Sequence, residues 1–456
     1  MELVYLWVKN HKNIVEQGFN FSRRFRCHYD KEKNELEIID KDETGEFYPK
    51  NFFGDNINVT AIVGENGSGK SSILEFLVDE IAKNGIILYF ENEKFFITKD
   101  ITLVNYKSET ITNSSLKSVY IEKNFLRYIY ITNFFDILNS GTQSIYKNLL
   151  SEKVNSTKLD LSEFKKGIFE KIKKHNNLFK NDLFNFNPIK VVFHKIKDSE
   201  ELEENEKKEI LIETYNNLKK EIFIDENVQI LNNEWILFEK GIIGIDYIDK
   251  DARKYYDLSD GEKTIFTDLL IIYDELSQDN DKKFIVLDEP NNSFHPLWQQ
   301  KYIKELVSII SKFDRKVHII ITSHSPFILS DLPKENIIFL EKGKQVYPFE
   351  DGKQTFGANI HTLLSHGFFM KDGLMGEFAK DKIDTAIKYL NQKILTEDEL
   401  NYCENIISII GEPIIKRELQ RKLDSKGLSK IDKIEEIEEQ MKLLQNRLEM
   451  IRKNQK

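Results

Sequence analysis

Cysteine is scarce: Cys27 and Cys403 are the only two in 456 residues. Their separation gives neither a metal-site spacing nor a disulfide framework. Both read as buried, reduced thiols, which suits a cytoplasmic chain. Long apolar runs are missing as well. None approaches the roughly 18 residues that mark a membrane-spanning helix, so no membrane partner is expected. The first residues, MELVYLWVKN, lack the basic start and apolar core of a secretory signal, and their alternation reads as a strand. Net positive charge is absent too, since 66 Lys and Arg against 76 Asp and Glu leave −10. That balance excludes a surface coated in basic charge for nucleic acid but leaves room for a local basic groove. What is present is ordinary for a globular chain: 40% hydrophobic and 31% charged residues, with length for two or three domains.

The segment 1–63 reads as strands, LVYLWV, FNFSRRFRCHYD and NELEIID, followed by the apolar run NVTAIV ending in Gly64. SSILEFLVDEI then takes helical spacing, with Ile73, Phe76, Leu77 and Ile81 on one face. The chain is β-rich again up to about 138. Residues 139–256 read as a mainly helical insert, too short in heptads for a long coiled-coil arm. Residues 257–345 return to α/β alternation, and 346–456 read as a helical C-terminal domain. Near its end Ile434, Ile437, Met441, Leu444, Leu448 and Ile451 follow 3,4,3,4,3 spacing, a heptad seam of about three turns of the repeat. The seam fits either packing within its own domain or pairing with another helix.

Three stretches carry chemistry. GENGSGKS, Gly64–Ser71, fits the phosphate-loop pattern at every constrained position. Its glycines let backbone amides turn inward around phosphate where a Cβ would collide. Gly64, Asn66, Gly67, Ser68, Gly69, Lys70, Ser71 and Ser72 are therefore the candidate ATP-binding set. Lys70 meets phosphate charge, and Ser71 offers a hydroxyl to Mg²⁺. FIVLDEP places Asp288 and Glu289 at the carboxyl end of a buried strand. Asp288 is the second candidate for Mg²⁺, and Glu289 the candidate general base for the attacking water. LSDGEK, Leu258–Lys263, starts a helix; Ser259 with Glu262 is also a capping-box pattern. His324, in IIITSHSP, follows another buried strand and is a candidate γ-phosphate contact. His295 is expected only to shape the loop after Glu289.

Together these motifs resemble the ABC-type ATPase heads of SMC, RecF and OLD-like proteins. The resemblance implies an α/β ABC-ATPase head with a mixed N-terminal sheet and a parallel core sheet, binding ATP and Mg²⁺. It implies a homodimer with shared sites, in which Ser259 and Gly261 reach ATP held by the other subunit. It also implies that His324 is the switch histidine and that Asn291–Ser293 face the partner. The LSDGE form departs from LSGGQ and fits DNA-associated heads better than transporters. No Q-loop glutamine stands out, and whether Asn133 in YITNFF substitutes for it is left open. FGANIHTLLSHGFFMKDGLMGEFAKDKI is similar to a segment of compact AAA-type ATPases in antiphage loci, with the Septu and PARIS ATPases nearest. That similarity implies a sensor ATPase with an operon-encoded effector nuclease as partner, higher assembly and direct DNA contact being left open. An OLD-like nuclease or RecF-like repair head is the alternative. After Glu341 the chain shows no Asp-x-Asp, and Glu412 sits in a stretch that reads as helix, so intrinsic nuclease activity is not expected.

Overall fold

The computed structural model describes residues 2–77, 85–91, 93–98, 101–104, 128–131, 169–175, 186–198, 208–224, 230, 232–277, 284–349, 352–368 and 373–453. The chain divides into two compact units, Met1–Lys371 and Asp372–Lys456. No described helix is long and apolar enough to cross a membrane.

In the first unit the continuous apolar runs form a six-stranded sheet. Its order is Lys344–Val346, Ile337–Glu341, Ile57–Gly64, Val317–Ser323, Phe284–Asp288, Tyr128–Ile131. Every neighbouring pair is parallel except the Lys344–Val346 edge. Parallel strands need cover on both faces, and the period-two alternation of side chains supplies it. Val59, Ala61, Ile285, Leu287, Ile319 and Ile321 join one core with the helices Asp260–Ser277 and Pro296–Ile310. Ile62, Val286, Ile320 and Ile338 join another, with the helix Lys70–Glu75 and an antiparallel sheet. That second sheet has the order Ile14–Asn20, Glu2–His11, Gly85–Glu91, Lys94–Ile97. A third, of Phe25–Asp30, Glu35–Asp40 and Thr102–Val104, mixes antiparallel and parallel pairs. The α/β class and the parallel core sheet are as the sequence led one to expect.

His318 ties the core sheet to the N-terminal one. Its Nδ1 accepts from the Leu3 N–H at 3.1 Å, and its Nε2 lies 2.8 Å from Thr60 Oγ1. Burial, reinforced by nearby positive charge, lowers its pKa to about 3. The unfolded imidazole titrates near 6.5, so the stability this neutral ring confers is complete above that pH. It is lost as pH falls towards 3 because only the unfolded chain takes up the proton. Between pH 7 and pH 5 the loss is about 2 kcal/mol. Through this ring, unfolding free energies from urea titrations at the two pH values should therefore differ by that much in the wild type. They should differ markedly less for His318→Gln; equal differences would remove His318 as the source.

The mainly helical reading of 139–256 is corrected in part: residues 169–174 are helical, but strands are interleaved with helices in the rest of what is described. Pro188–Lys195, Glu221–Phe223 and Ile243–Asp249 form an antiparallel sheet. Lys208–Asn216 and Asn232–Glu239 are the helices between its strands. Alternation in VVF and IGIDY buries Val191, Phe193, Ile243, Ile245 and Tyr247 in the core they share with the signature helix. Much of 139–185 lies outside the described residues, as do Asn133 and Ile81.

The second unit is a set of helices, Glu377–Leu390, Glu397–Ile409 and Pro413–Lys453. Thr396 and Glu399 form a capping box on the middle one. Ile383, Ala386, Leu390, Cys403, Ile407, Ile410, Leu419 and Leu423 make its core. Cys403 is buried and free, as is Cys27 in the first unit. Glu412 lies in the short link between two helices rather than inside one.

Candidate nucleotide site

The strand Ile57–Gly64 delivers the phosphate loop, and the helix Lys70–Glu75 starts directly behind it. Gly67 and Gly69 have φ of 74° and 110°, the left-handed conformations that turn the loop's amides inward. Close packing also demands Gly64: a Cβ there would sit 2.4 Å from the Leu340 carbonyl oxygen. Lys70 is only 5% exposed, and its ammonium donates to the Gly64 and Glu65 carbonyls at 3.2 Å each. Burial lowers its pKa, opposed by Glu289 and Asp288. Asn66 and Gly67 are exposed, whereas Ser68 is buried.

The carboxylates arrive from the next strand but one, Phe284–Asp288, which Val317–Ser323 separates from the loop strand. Asp288 Oδ1 accepts from Ser71 Oγ at 3.2 Å and from Thr322 Oγ1 at 2.6 Å. Glu289 leaves the strand with φ of 47°, a conformation unfavourable for a residue with a Cβ. The turn is held by its N–H, which donates to Thr322 Oγ1 at 2.8 Å. One oxygen of Glu289 lies 3.0 Å from His324 Nε2 and 3.7 Å from Lys70 Nζ, and the other accepts from Asn292 at 2.7 Å. The hydrogen bond with His324 is the main reason its pKa falls to about 2, with Asn292 and Lys70 adding to it against burial. Lys70, Ser71, Asp288, Glu289 and His324 are thus brought together as one linked cluster.

Ser259 and Gly261 have a different setting. Ser259 is exposed, and its hydroxyl and N–H both bond to Glu262, at 2.8 and 2.9 Å. Gly261 is buried where a Cβ would lie 2.7 Å from the Ser293 carbonyl oxygen. The signature turn therefore packs on the loop after Glu289 in its own chain. In that loop Asn291 is buried and receives the Ser323 hydroxyl at 3.0 Å, leaving Asn292 exposed. His295 caps the following helix by accepting from Leu297 N–H at 3.3 Å, the loop-shaping role its position suggested.

Two contributors escaped the sequence reading, and a third was given another role. Thr322 holds both Asp288 and Glu289; a hydroxyl in the otherwise apolar VHIIIT was the available signal. Asn292 was placed only by resemblance, as a partner-facing residue. Asn13, in the turn between the first two strands, had no signal at all. Its amide donates to the Gly67 carbonyl at 2.9 Å and its oxygen accepts from Ser72 at 3.3 Å. From the other side Gly343 N–H donates to the Ser68 carbonyl at 2.8 Å. Ser72 thus serves the loop's support.

Among the described residues no group of three His, Cys, Asp or Glu side chains suits a metal ion. Mg²⁺ held with phosphate needs fewer, and one carboxylate beside one hydroxyl is a fitting pair. Asp288 and Ser71 supply that donor set.

A strand, glycine loop and helix, with adjacent carboxylates at the end of a parallel neighbour, define a P-loop nucleotide-binding domain of the α/β class. Residues 59–330 match the family described as "AAA domain, putative AbiEii toxin, Type IV TA system". That span is more than half of the chain, and the chain belongs to this family. No curated protein matches it. Among solved structures it is similar to the SMC head domain from Thermotoga maritima, at 15% identity and a TM-score of 0.33, over 76% of this chain and 98% of that one. It is also similar to cbiO1 from Clostridium perfringens, part of the ABC transporter complex cbiONQ, at 11% identity and a TM-score of 0.28, over 82% and 94%.

Proposed function

We propose that the protein hydrolyses ATP at a site completed by a second copy, as the sensor ATPase of an antiphage system that controls an effector nuclease. The observation that carries the hydrolytic part is the linked cluster of Lys70, Ser71, Asp288, Glu289 and His324. Lys70 and the inward amides bind the triphosphate. Glu289, ionised at neutral pH, accepts the proton of the attacking water, and Asn292 and His324 hold its two oxygens. Lys70 is shared between Glu289 and the place of the phosphates. As it turns to the substrate, Glu289 loses a cation and gains proton affinity, which suits a general base. Ser71 and Asp288 would hold Mg²⁺, whose chemistry is to neutralise charge on the β- and γ-phosphates. His324, within reach of Glu289, would report the γ-phosphate.

The exposed Ser259 at the start of the helix Asp260–Ser277 supports the shared site. A helix N-terminus with a serine can receive phosphate from outside the chain. Subunit mixing tests it. Ser259→Arg and Lys70→Ala proteins should each be inactive alone. Mixed in equal amounts they should recover about a quarter of wild-type turnover, because half of randomly assorted dimers hold one intact site. No recovery after verified exchange of subunits would overturn sharing. The defence role draws its support from the motif resemblance in Phe356–Ile383. Purified protein should turn over ATP faster with its operon-encoded neighbour, DNA or phage extract than alone, and equal rates with and without each of them would count against a sensor.

A further inference from the structure

Residues of the strands Phe25–Asp30 and Ile337–Glu341, and of the turns beside them, line a cavity of about 440 Å³. That volume lies in the range of small-molecule sites. Three cations line it, Arg26, Lys41 and Lys334, against one carboxylate, Glu335. A chain of net charge −10 thus gathers a surplus of two positive charges around one hollow. None of the lining residues belongs to the nucleotide site.

Lys41 is the informative member. It follows the strand Glu35–Asp40, whose Asp40 carboxylate is already taken by Arg24 at 2.8 and 2.6 Å. Lys41 is only 7% exposed, and among the described residues its ammonium has neither a hydrogen bond nor an ion pair. Burial lowers its pKa, with Arg26 adding to that and Glu335 and Glu46 opposing it. A buried cation without a counter-ion is unfavourable, and an anion entering the cavity relieves it. Arg26 likewise has no carboxylate partner among the described residues; its guanidinium lies 5.5 Å from the centroid of the Tyr347 ring. Lys334 donates to the Phe349 carbonyl at 2.8 Å, which leaves two of its three N–H groups. Glu335 has the opposite need. Its Oε1 accepts from Gln354 at 3.2 Å, whereas its Oε2 is buried with no donor.

These needs select a ligand class. A phosphate monoester matches the surplus of two charges at neutral pH better than a carboxylate does, and lysine with arginine suits its oxygens. Inorganic phosphate alone would leave most of the cavity empty, and Phe25, Phe339, Phe349 and Tyr347 give it apolar walls. Tyr347 is the exposed one among them, at 45%, and offers a ring face for a base to stack on. A ribose hydroxyl or a base amino group would satisfy Glu335 Oε2. We propose that this cavity binds a nucleoside 5′-monophosphate group, with its phosphate on Lys41, Arg26 and Lys334 and its base beside Tyr347. The group is either a free nucleotide or the 5′-phosphorylated end of a nucleic-acid strand.

Calorimetric titration of the full-length protein tests this, with AMP, GMP, CMP, UMP, the matching nucleosides and inorganic phosphate as probes. At least one monophosphate should bind once per chain in the micromolar range, and its nucleoside and inorganic phosphate far more weakly. Lys41→Met and Arg26→Ala should each weaken that binding by about tenfold or more, as loss of a charge-assisted contact does. Lys41→Met keeps the apolar stem and removes a buried charge, so its melting temperature should not fall; Arg26→Ala changes an exposed residue and serves as the second variant. Lys70→Ala should leave monophosphate binding unchanged, which keeps a failure of this site distinct from a failure of the proposed ATPase. A short single-stranded oligonucleotide with and without a 5′-phosphate separates the two sources. Tighter binding of the phosphorylated strand than of any free monophosphate assigns a strand end, and weaker binding a free nucleotide. No binding by any monophosphate or by the phosphorylated strand would overturn the site, as would equal affinity for the nucleoside or affinity unmoved by both Lys41→Met and Arg26→Ala. Loss of binding in Lys70→Ala would put the ligand in the phosphate loop instead.

Discussion

Glu289→Gln is expected to lower ATP turnover by about 10²–10³-fold while nucleotide binding stays within a few-fold of wild type. Glutamine keeps the shape of the side chain and can still accept from His324. Its amide cannot take a proton from water. The neutral side chain also releases Lys70, which is otherwise shared between Glu289 and the loop carbonyls, so binding has no reason to weaken. The substrate complex should accumulate, and with it any ATP-closed dimer. Single-turnover hydrolysis and light scattering with ATP read the two halves of this expectation separately. Turnover equal to wild type would remove Glu289 from the role of base. A loss of turnover matched by an equal loss of binding would make it a structural residue instead.

Lys70→Ala should act on the other side of that balance, weakening nucleotide binding by about 10–100-fold, the range for deleting a charge-assisted contact. The Gly64 and Glu65 carbonyls lose their donor, yet they lie beside an open site where water can replace it. The fold should therefore survive, with a melting temperature close to that of the wild type. Titration with a fluorescent nucleotide separates the outcomes. An unchanged dissociation constant would show that the amides alone hold the phosphates.

The parts of the site that were legible in the sequence are those fixed within a few bonds. Gly64–Ser71 needs specific residues because a Cβ at Gly64 or a right-handed φ at Gly69 would break the loop itself. The strand FIVLD could be read because a parallel strand buried on both faces has to be apolar throughout. Asn13 and Thr322 could not be read in the same way, since their roles exist only once distant strands lie side by side. The misreading within 139–256 has a related cause. Pairs such as Val191 with Tyr247 join residues far apart in the chain. Glu221–Phe223 is only three residues long, and it and Pro188–Lys195 sit among charged, helix-favouring sequence, so local pattern favoured helix. The second unit was easier because helices declare themselves locally, through Thr396 with Glu399 and the repeat from Ile434 onward.

The order of strands has a consequence for how the protein is made. Ile57–Gly64 lies between Val317–Ser323 and Ile337–Glu341, both of which leave the ribosome more than 250 residues later. At bacterial or eukaryotic synthesis rates that interval is on the order of tens of seconds. Throughout it, an apolar strand and its phosphate loop wait without either neighbour and without the Gly343 clamp. The nascent chain carries its phosphate loop long before the carboxylates that complete the site are made, and that waiting strand is an apolar surface open to chaperones and to other new chains.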